Sequence, residues 1–422
     1  MNILFYSTED GGSTAGGASK AAQRLHNCLL DSGHQSTMVV RYKQSDTPTV
    51  VTADAIWPSK GRQVLGLLGK FFAKGVRASY QFNYDRAENI PLSNLLPLPQ
   101  GAVDIICINW ITNLLTTRTI EQIACYYKCP VVWIMMDLEP VTGGCHYSFG
   151  CQGYRVQCGK CPQLNSSSHN DLSHHLWCSK QKHLAQLPLS FVAPTSWVHN
   201  RIRESSLFSS HRIADIPLSI DDSVFKPRSR QMARELLNIP SRAKVVFFGA
   251  WSFDDPRKGI LKLYDAWDYV KSHLSVKVAE NIVLLSAGRR GGERRGLPFP
   301  GVHLGFVRDD LTLALAYQAA DIFVNPSLED AGPMMISEAM MCGVPVVSFD
   351  TGGAADVVRP GETGYLANAG DSADLGRGLC RLLESDELEK MGQAAHRLCY
   401  SRHSPRVVAE QHAAFYRELM AK

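Results

Sequence analysis

Short apolar runs punctuate this chain, and amphipathic stretches with helical patterning fill the gaps between them. Asn2-ILFYS, Ser36-TMVVR, Asp104-IICIN, Pro130-VVWIM, Ser190-FVAPT and Arg212-IADIP form a first series. After Phe225-Lys226-Pro227 the series restarts with Lys244-VVFFG, Asn281-IVLLSAG, Gly301-VHLGF, Ala320-DIFVN and Gly343-VPVVSF. Helical patterns such as Ala18-SKAAQRLHNCLLDSG and Leu311-TLALAYQAA lie between them. This alternation predicts parallel sheets covered by helices. The break near residues 219–230 divides it into two doubly wound, Rossmann-like α/β domains expected to face a central cleft. Residues 1–220 form the first, with a cysteine-rich insert near 142–165, and residues 221–403 the second. A terminal helix over 404–422 follows and is expected to pack back on the first domain.

Composition agrees with that division. At 422 residues the chain exceeds one ordinary core, and 45% hydrophobic with 20% charged content is that of a soluble globular protein. A net charge of +4 is too small to point to nucleic acid. Met1-NILFYST reads as a buried strand, without the parts of a signal peptide. No apolar run approaches the roughly 18–20 residues that span a bilayer. The expected location is cytoplasmic, free or peripheral at the inner face of the plasma membrane. Residues 59–80 bear on that choice: Val64, Leu68, Phe71, Phe72 and Val76 share one helical face, ringed by Lys60, Arg62, Lys70, Lys74 and Arg77. Such a helix could lie on an anionic membrane surface or be an ordinary packed helix.

The densest chemistry lies in residues 321–367. Asp330 and Glu338 flank a proline-bearing turn and a helix start near Pro333, between the strands Ile322-FV and Val344-PVVSF. Ligands of open parallel sheets sit outside the carboxyl ends of the strands, and a helix start offers free N–H groups to an anion. Asp330-x7-Glu338, followed by Gly343-Val-Pro-Val-Val, resembles the E-x7-E signature of the retaining glycosyltransferases of family 4, which have the GT-B fold. Ile216-PLSID-Asp222-SVFKP, Asp254-DPRKG and Tyr317-QAADIFVNPS resemble further landmarks of that family in the expected order.

The resemblance implies a transferase that moves a sugar, with retention, from a nucleotide-sugar donor to a lipid-linked oligosaccharide acceptor in bacterial-type polysaccharide synthesis. It implies that Glu338 accepts the ribose hydroxyls and that Asp330 meets the transferred sugar, one methylene shorter than the family glutamate. Lys258 matches the family lysine that meets the diphosphate; the family arginine position reads Ala250, which Arg257 would compensate. Amides of Gly332, Met334 and Met335 around Pro333, and of Gly16 and Gly17 after the first strand, are further phosphate candidates. Asp137 ends Val131-VWIMMD, where related sequences read His-Asp and this chain has Met136; a site role and a helix N-cap both suit it. The leaving phosphate would help deprotonate the acceptor, so catalysis requires no metal cofactor. A non-catalytic sugar-nucleotide-binding subunit and a GT-B-fold epimerase are the alternatives.

Cys145, Cys151, Cys158 and Cys161 crowd a glycine-rich stretch, Thr142-GGCHYS to Cys158-GKCPQL, that resembles a colanic-acid-type exopolysaccharide subgroup of the same family. Four thiols suit a structural tetrahedral Zn²⁺; reduced structural thiols, a redox pair or disulfides are the other readings. His146 and the pair His174-His175 find no metal partners at helical spacing and read as polar or surface residues.

Overall fold

The computed structural model describes residues 1–12, 16–54, 82–85, 90–289 and 296–421. The amphipathic segment 59–80 lies outside them. The described residues form two compact units: Met1–Pro217 with Val408–Lys422, and Leu218–Val407.

In the first unit the strands β1 (Asn2–Glu9), β2 (Gln35–Tyr42), β3 (Val50–Thr52), β4 (Ile105–Ile108), β5 (Val131–Ile134), β6 (Leu189–Ala193) and β7 (Arg212–Asp215) form one sheet in the order β3-β2-β1-β4-β5-β6-β7. In the second, β8 (Lys244–Ser252), β9 (Ile282–Arg289), β10 (Gly301–His303), β11 (Ile322–Asn325), β12 (Val346–Phe349) and β13 (Gly364–Ala367) run β10-β9-β8-β11-β12-β13. Every pairing is parallel. Both orders reverse beside the first strand of the unit, which is where the crossovers leave a crevice at the carboxyl edge.

The sequence runs become strands because both faces are covered. In β8, Val245 and Phe247 join one core with Tyr317, Ile336 and Met340, while Val246 and Phe248 join the other with Leu263, Trp267 and Leu379. Successive side chains point to opposite faces, so an apolar run fills two cores at once. The apolar patterning missed two edge strands, β3 and β13, whose short sequences VVT and GYLA are partly exposed.

The terminal helix Pro405–Met420 buries Val408, Ala409, Phe415 and Tyr416 in the core of the first unit, beside Phe5, Val40 and Val132. Its Tyr416 hydroxyl also lies 3.1 Å from the Cys107 thiol, which donates to it. Among the described residues, no helix is long and apolar enough to cross a membrane.

Candidate functional site

Three segments of the second unit meet at the carboxyl edge of its sheet. The turn Pro256–Lys258 follows β8, the loop 326–333 follows β11, and Thr351-Gly352-Gly353 follows β12. Asp255 caps the first of these, its carboxylate accepting from the Arg257 amide at 3.0 Å and its guanidinium at 2.8 Å. Arg257 also donates to the Glu329 carbonyl at 3.2 Å, and its own carbonyl accepts from the Leu328 amide at 2.7 Å. The two loops are thereby fixed together.

Two glycines make the junction possible. Gly259 has φ +62, and a Cβ there would stand 1.9 Å from the Pro326 carbonyl oxygen. Gly352 has φ +56, and a Cβ would stand 1.8 Å from the carbonyl oxygen of Asp330. Only glycine permits so close an approach in that conformation. Thr351 adds a hydroxyl bond to the Ser327 carbonyl at 2.6 Å.

On this frame Lys258 Nζ donates to Asp330 Oδ2 at 2.6 Å, and the other carboxylate oxygen accepts from the Gly332 amide at 3.3 Å. Burial pushes the Asp330 carboxyl up. The Lys258 ammonium and Arg257 guanidinium, with the hydrogen bonds from Lys258 and Gly332, outweigh burial and hold it below the usual carboxylate range. A buried anion beside two cations therefore stands at the ligand edge.

Glu338 is the fifth residue of the helix Met334–Met341 rather than part of its first turn. It is buried, and Tyr317 donates a hydroxyl hydrogen bond to its Oε2 at 3.2 Å. Tyr317 is packed among Phe225, Phe247 and Phe323, which fixes the direction of that hydroxyl. The sequence reading gave Tyr317 only as part of a landmark; a partner 21 positions away has no local signature.

The anion cradles drawn from the sequence are partly closed on themselves. Pro333 has no N–H, the Gly332 amide serves Asp330, and the Met334 amide donates to the Gly332 carbonyl at 2.7 Å. Met335 instead packs its methyl against Gly249, where a Cβ would come within 2.6 Å of it; Ala250 beside it is buried. In the first unit, Gly16 precedes the helix Gly17–Asp31, but its amide faces Glu9 Oε1 at 3.4 Å. Ser19 and Gln44 also donate to that carboxylate, at 3.1 and 3.2 Å.

Asp137 follows β5 and is buried. Its Oδ1 accepts from the Glu139 amide at 2.8 Å, and its Oδ2 accepts from His146 Nδ1 at 2.5 Å. Of the two roles open to Asp137, the N-cap becomes a turn contact, and His146, read as a polar or surface residue, is a buried polar one at 3% exposed. The reason is the ion-paired loop beneath it. Lys180 is fully buried and donates to Glu139 Oε1 at 2.7 Å, to the Thr142 carbonyl at 3.0 Å and to the Glu139 carbonyl, drawing the insert down onto the sheet edge.

Cys145, Cys151, Cys158 and Cys161 line one pocket of that insert, and all are free thiols. Cys158 accepts from the Gly143 amide at 3.2 Å and Cys151 from the Gly153 amide at 3.5 Å. Burial pushes the Cys158 thiol up to about 11 and raises Cys161 as well. The donor types are those of a Zn²⁺ site, and among the described residues no three His, Cys, Asp or Glu side chains are grouped to hold a metal ion.

Residues 242–385 match the family described as Glycosyl transferases group 1. That match lies within the second unit and takes in about a third of the chain, and the fold of the two units is the GT-B fold of parallel-sheet α/β domains. The chain is 34% identical over 189 residues to the phosphatidyl-myo-inositol mannosyltransferase of Mycobacterium leprae, covering 43% of this chain and 49% of that protein. It thus spans about half the length of that relative. It is 24% identical over 372 residues to the putative colanic acid biosynthesis glycosyl transferase WcaC of Escherichia coli, covering 85% of each. In fold it is similar to the sucrose-phosphate synthase of Thermosynechococcus elongatus, with a TM-score of 0.70 at 19% identity over 100% of this chain and 99% of that one. Anabaena Alr3699/HepE in complex with UDP-glucose gives a TM-score of 0.62 at 18% identity, over 99% and 100%.

Proposed function

We propose that the chain is a retaining glycosyltransferase that moves a hexose from a nucleotide sugar to a lipid-linked saccharide in polysaccharide synthesis. The observation that carries this reading is the Lys258–Asp330 pair at the carboxyl edge of the second sheet, with Arg257 beside it. Relatives in colanic acid and phosphatidylinositol mannoside synthesis support the acceptor class.

When a nucleotide sugar enters, its diphosphate takes the Lys258 ammonium, and Arg257 adds a second positive charge. Negative charge grows on the leaving phosphate as the glycosidic bond breaks, so fixed cations there stabilise the transition state more than the ground state. Asp330, ionised and acceptor-only, takes hydroxyl hydrogen bonds from the transferred sugar. Glu338, oriented by Tyr317, accepts from the ribose diol. The departing phosphate oxygen removes the acceptor proton on the face it leaves, which preserves the anomeric configuration without a protein nucleophile.

The test is turnover of the purified chain on a panel of nucleotide sugars, with Lys258→Ala alongside. The expected loss in kcat is on the order of 10²–10³, the scale of a lost charge-stabilising donor, with the anomer retained by NMR. Turnover unchanged in Lys258→Ala, or none in the parent chain with any donor, would overturn the reading.

A further inference from the structure

Two thiols of the cysteine-rich insert differ from cysteines of the cores in the direction of their hydrogen bonds. In the cores, Cys28 and Cys399 give their S–H to carbonyls, of Leu25 at 3.2 Å and of Ser337 at 3.3 Å. In the insert the sulfur accepts: the Gly143 amide meets Cys158 Sγ at 3.2 Å and the Gly153 amide meets Cys151 Sγ at 3.5 Å. A neutral thiol is a weak acceptor, whereas an ionised sulfur gains a charge-assisted bond. The close approach of backbone to sulfur is built in. A Cβ at Gly143 would stand 2.7 Å from the Cys158 Cβ and 2.2 Å from the Ser173 carbonyl oxygen. Gly159 has φ +150, and a Cβ there would stand 2.4 Å from the His169 carbonyl oxygen. With Lys160 at φ +48, it folds Cys158-Gly-Lys-Cys161 into a tight turn. The Lys160 amide donates to the Ser168 carbonyl and the Cys161 amide to Asp171, both at 2.8 Å, which pins that turn to the start of the helix Leu172–His183. A C-x2-C turn offers two sulfurs to one ion.

Cys145, Cys151, Cys158 and Cys161 line one space of about 20 Å³, room for a single atom the size of a water oxygen. The hydroxyls of Thr142 and Ser173 in its wall donate elsewhere, to the Cys145 carbonyl at 2.8 Å and to Asp171 at 2.6 Å. Phe82 and Leu176 pack with Cys145 and Cys161. Such apolar surroundings oppose a bare thiolate and exclude water from one that is bound to a cation. From Thr142 to Asn165 the chain has no Asp or Glu, against Arg155 and Lys160, which suits the negative charge that four thiolates keep around a divalent ion. No three of these sulfurs converge on one point as the loops stand, so binding must turn thiols inward between staggered rotamers.

We infer that Cys145, Cys151, Cys158 and Cys161 are the ligands of one structural Zn²⁺ that ties the insert together. The ion binds in exchange for the four thiol protons, which pass to solvent, and leaves a doubly negative tetrahedral centre; until then burial keeps the thiols neutral. Nothing is oxidised or reduced. The Gly143 and Gly153 amides then serve sulfurs that carry charge. The site is separate from Lys258 and Asp330, and the inference stands apart from the reading of the chain as a sugar-transferring protein.

The test is the zinc content of the full chain, purified without a histidine tag under nitrogen and measured by plasma mass spectrometry. About one zinc per chain is expected. It should fall at least about tenfold in Cys158→Ser and in Cys161→Ser, and stay level in Cys125→Ser, an exposed cysteine outside the insert. A second measurement needs no variant. A strong chelator is expected to lower the melting temperature of the parent chain, and added Zn²⁺ to restore it. Co²⁺ added to the stripped chain is expected to give the sulfur-to-metal absorption of a tetrahedral thiolate site. Zinc near zero in the parent chain, with no such absorption on adding Co²⁺, overturns the inference. So does a full zinc complement in both serine variants, or a disulfide between any two of the four cysteines in peptide maps of the purified chain.

Discussion

Replacing Asp330 by Asn would leave Lys258 without the anion now 2.6 Å away. A diphosphate approaching Lys258 would then no longer meet a neighbouring carboxylate. Calorimetry on Asp330→Asn is therefore expected to show a free nucleoside diphosphate binding as tightly as before or tighter, while sugar transfer falls at least about tenfold. Weaker nucleotide binding would contradict the assignment of Asp330 to the sugar. At Cys158 the raised thiol pKa, about 11, keeps it protonated at neutral pH, and only thiolates alkylate readily. Iodoacetamide mapped by mass spectrometry should reach the exposed Cys125 well before Cys158; early labelling of Cys158 would mean that its pocket opens. At this scale the sequence was legible where chemistry is local. Lys258 and Asp330 could be named from their motifs, but their contact, across 72 positions, could not. Whether His146 is buried or at the surface could not be read, because that depends on the loop held by Lys180, from the helix Leu172–His183.

Elements were legible wherever an apolar run is buried on both faces, as in β8 and β11, because such runs have no other stable environment. The edge strands β3 and β13 were not, since an edge needs few apolar residues. The glycine turn after β12 was visible as Thr351-Gly352-Gly353, but not its role as the surface on which the Asp330 backbone rests. Gly352→Ala meets that carbonyl at 1.8 Å with φ at +56. It is expected to displace the Asp330 loop and abolish transfer, and to lower the melting temperature, by strain of order 1–3 kcal/mol. Full activity in Gly352→Ala would show that the contact is dispensable. Because that backbone is pinned, the methylene Asp330 lacks relative to glutamate is not recovered by moving the chain.

Three buried histidines make the fold less stable in acid. Burial lowers His26 and His403 to about 4 and His412 to about 3, from an ordinary 6.5. Each is neutral in the fold and takes a proton more readily when unfolded. The stability these three rings contribute is therefore complete above pH 6.5 and is lost as pH falls towards 4. Melting temperature should decline between pH 7 and 5, and a flat profile over that range would contradict the burial of these rings. His26 and His412 lie in the first unit and His403 in the second, so both are affected. That division also bears on synthesis. The core of the first unit is closed by Val408 to Tyr416, which follow the whole of the second unit along the chain. A ribosome must deliver the second unit in full before the first can complete its core. A premature stop before Val408 would thus injure the first unit rather than the second, leaving a nascent chain with the first unit's sheet uncovered and dependent on chaperones.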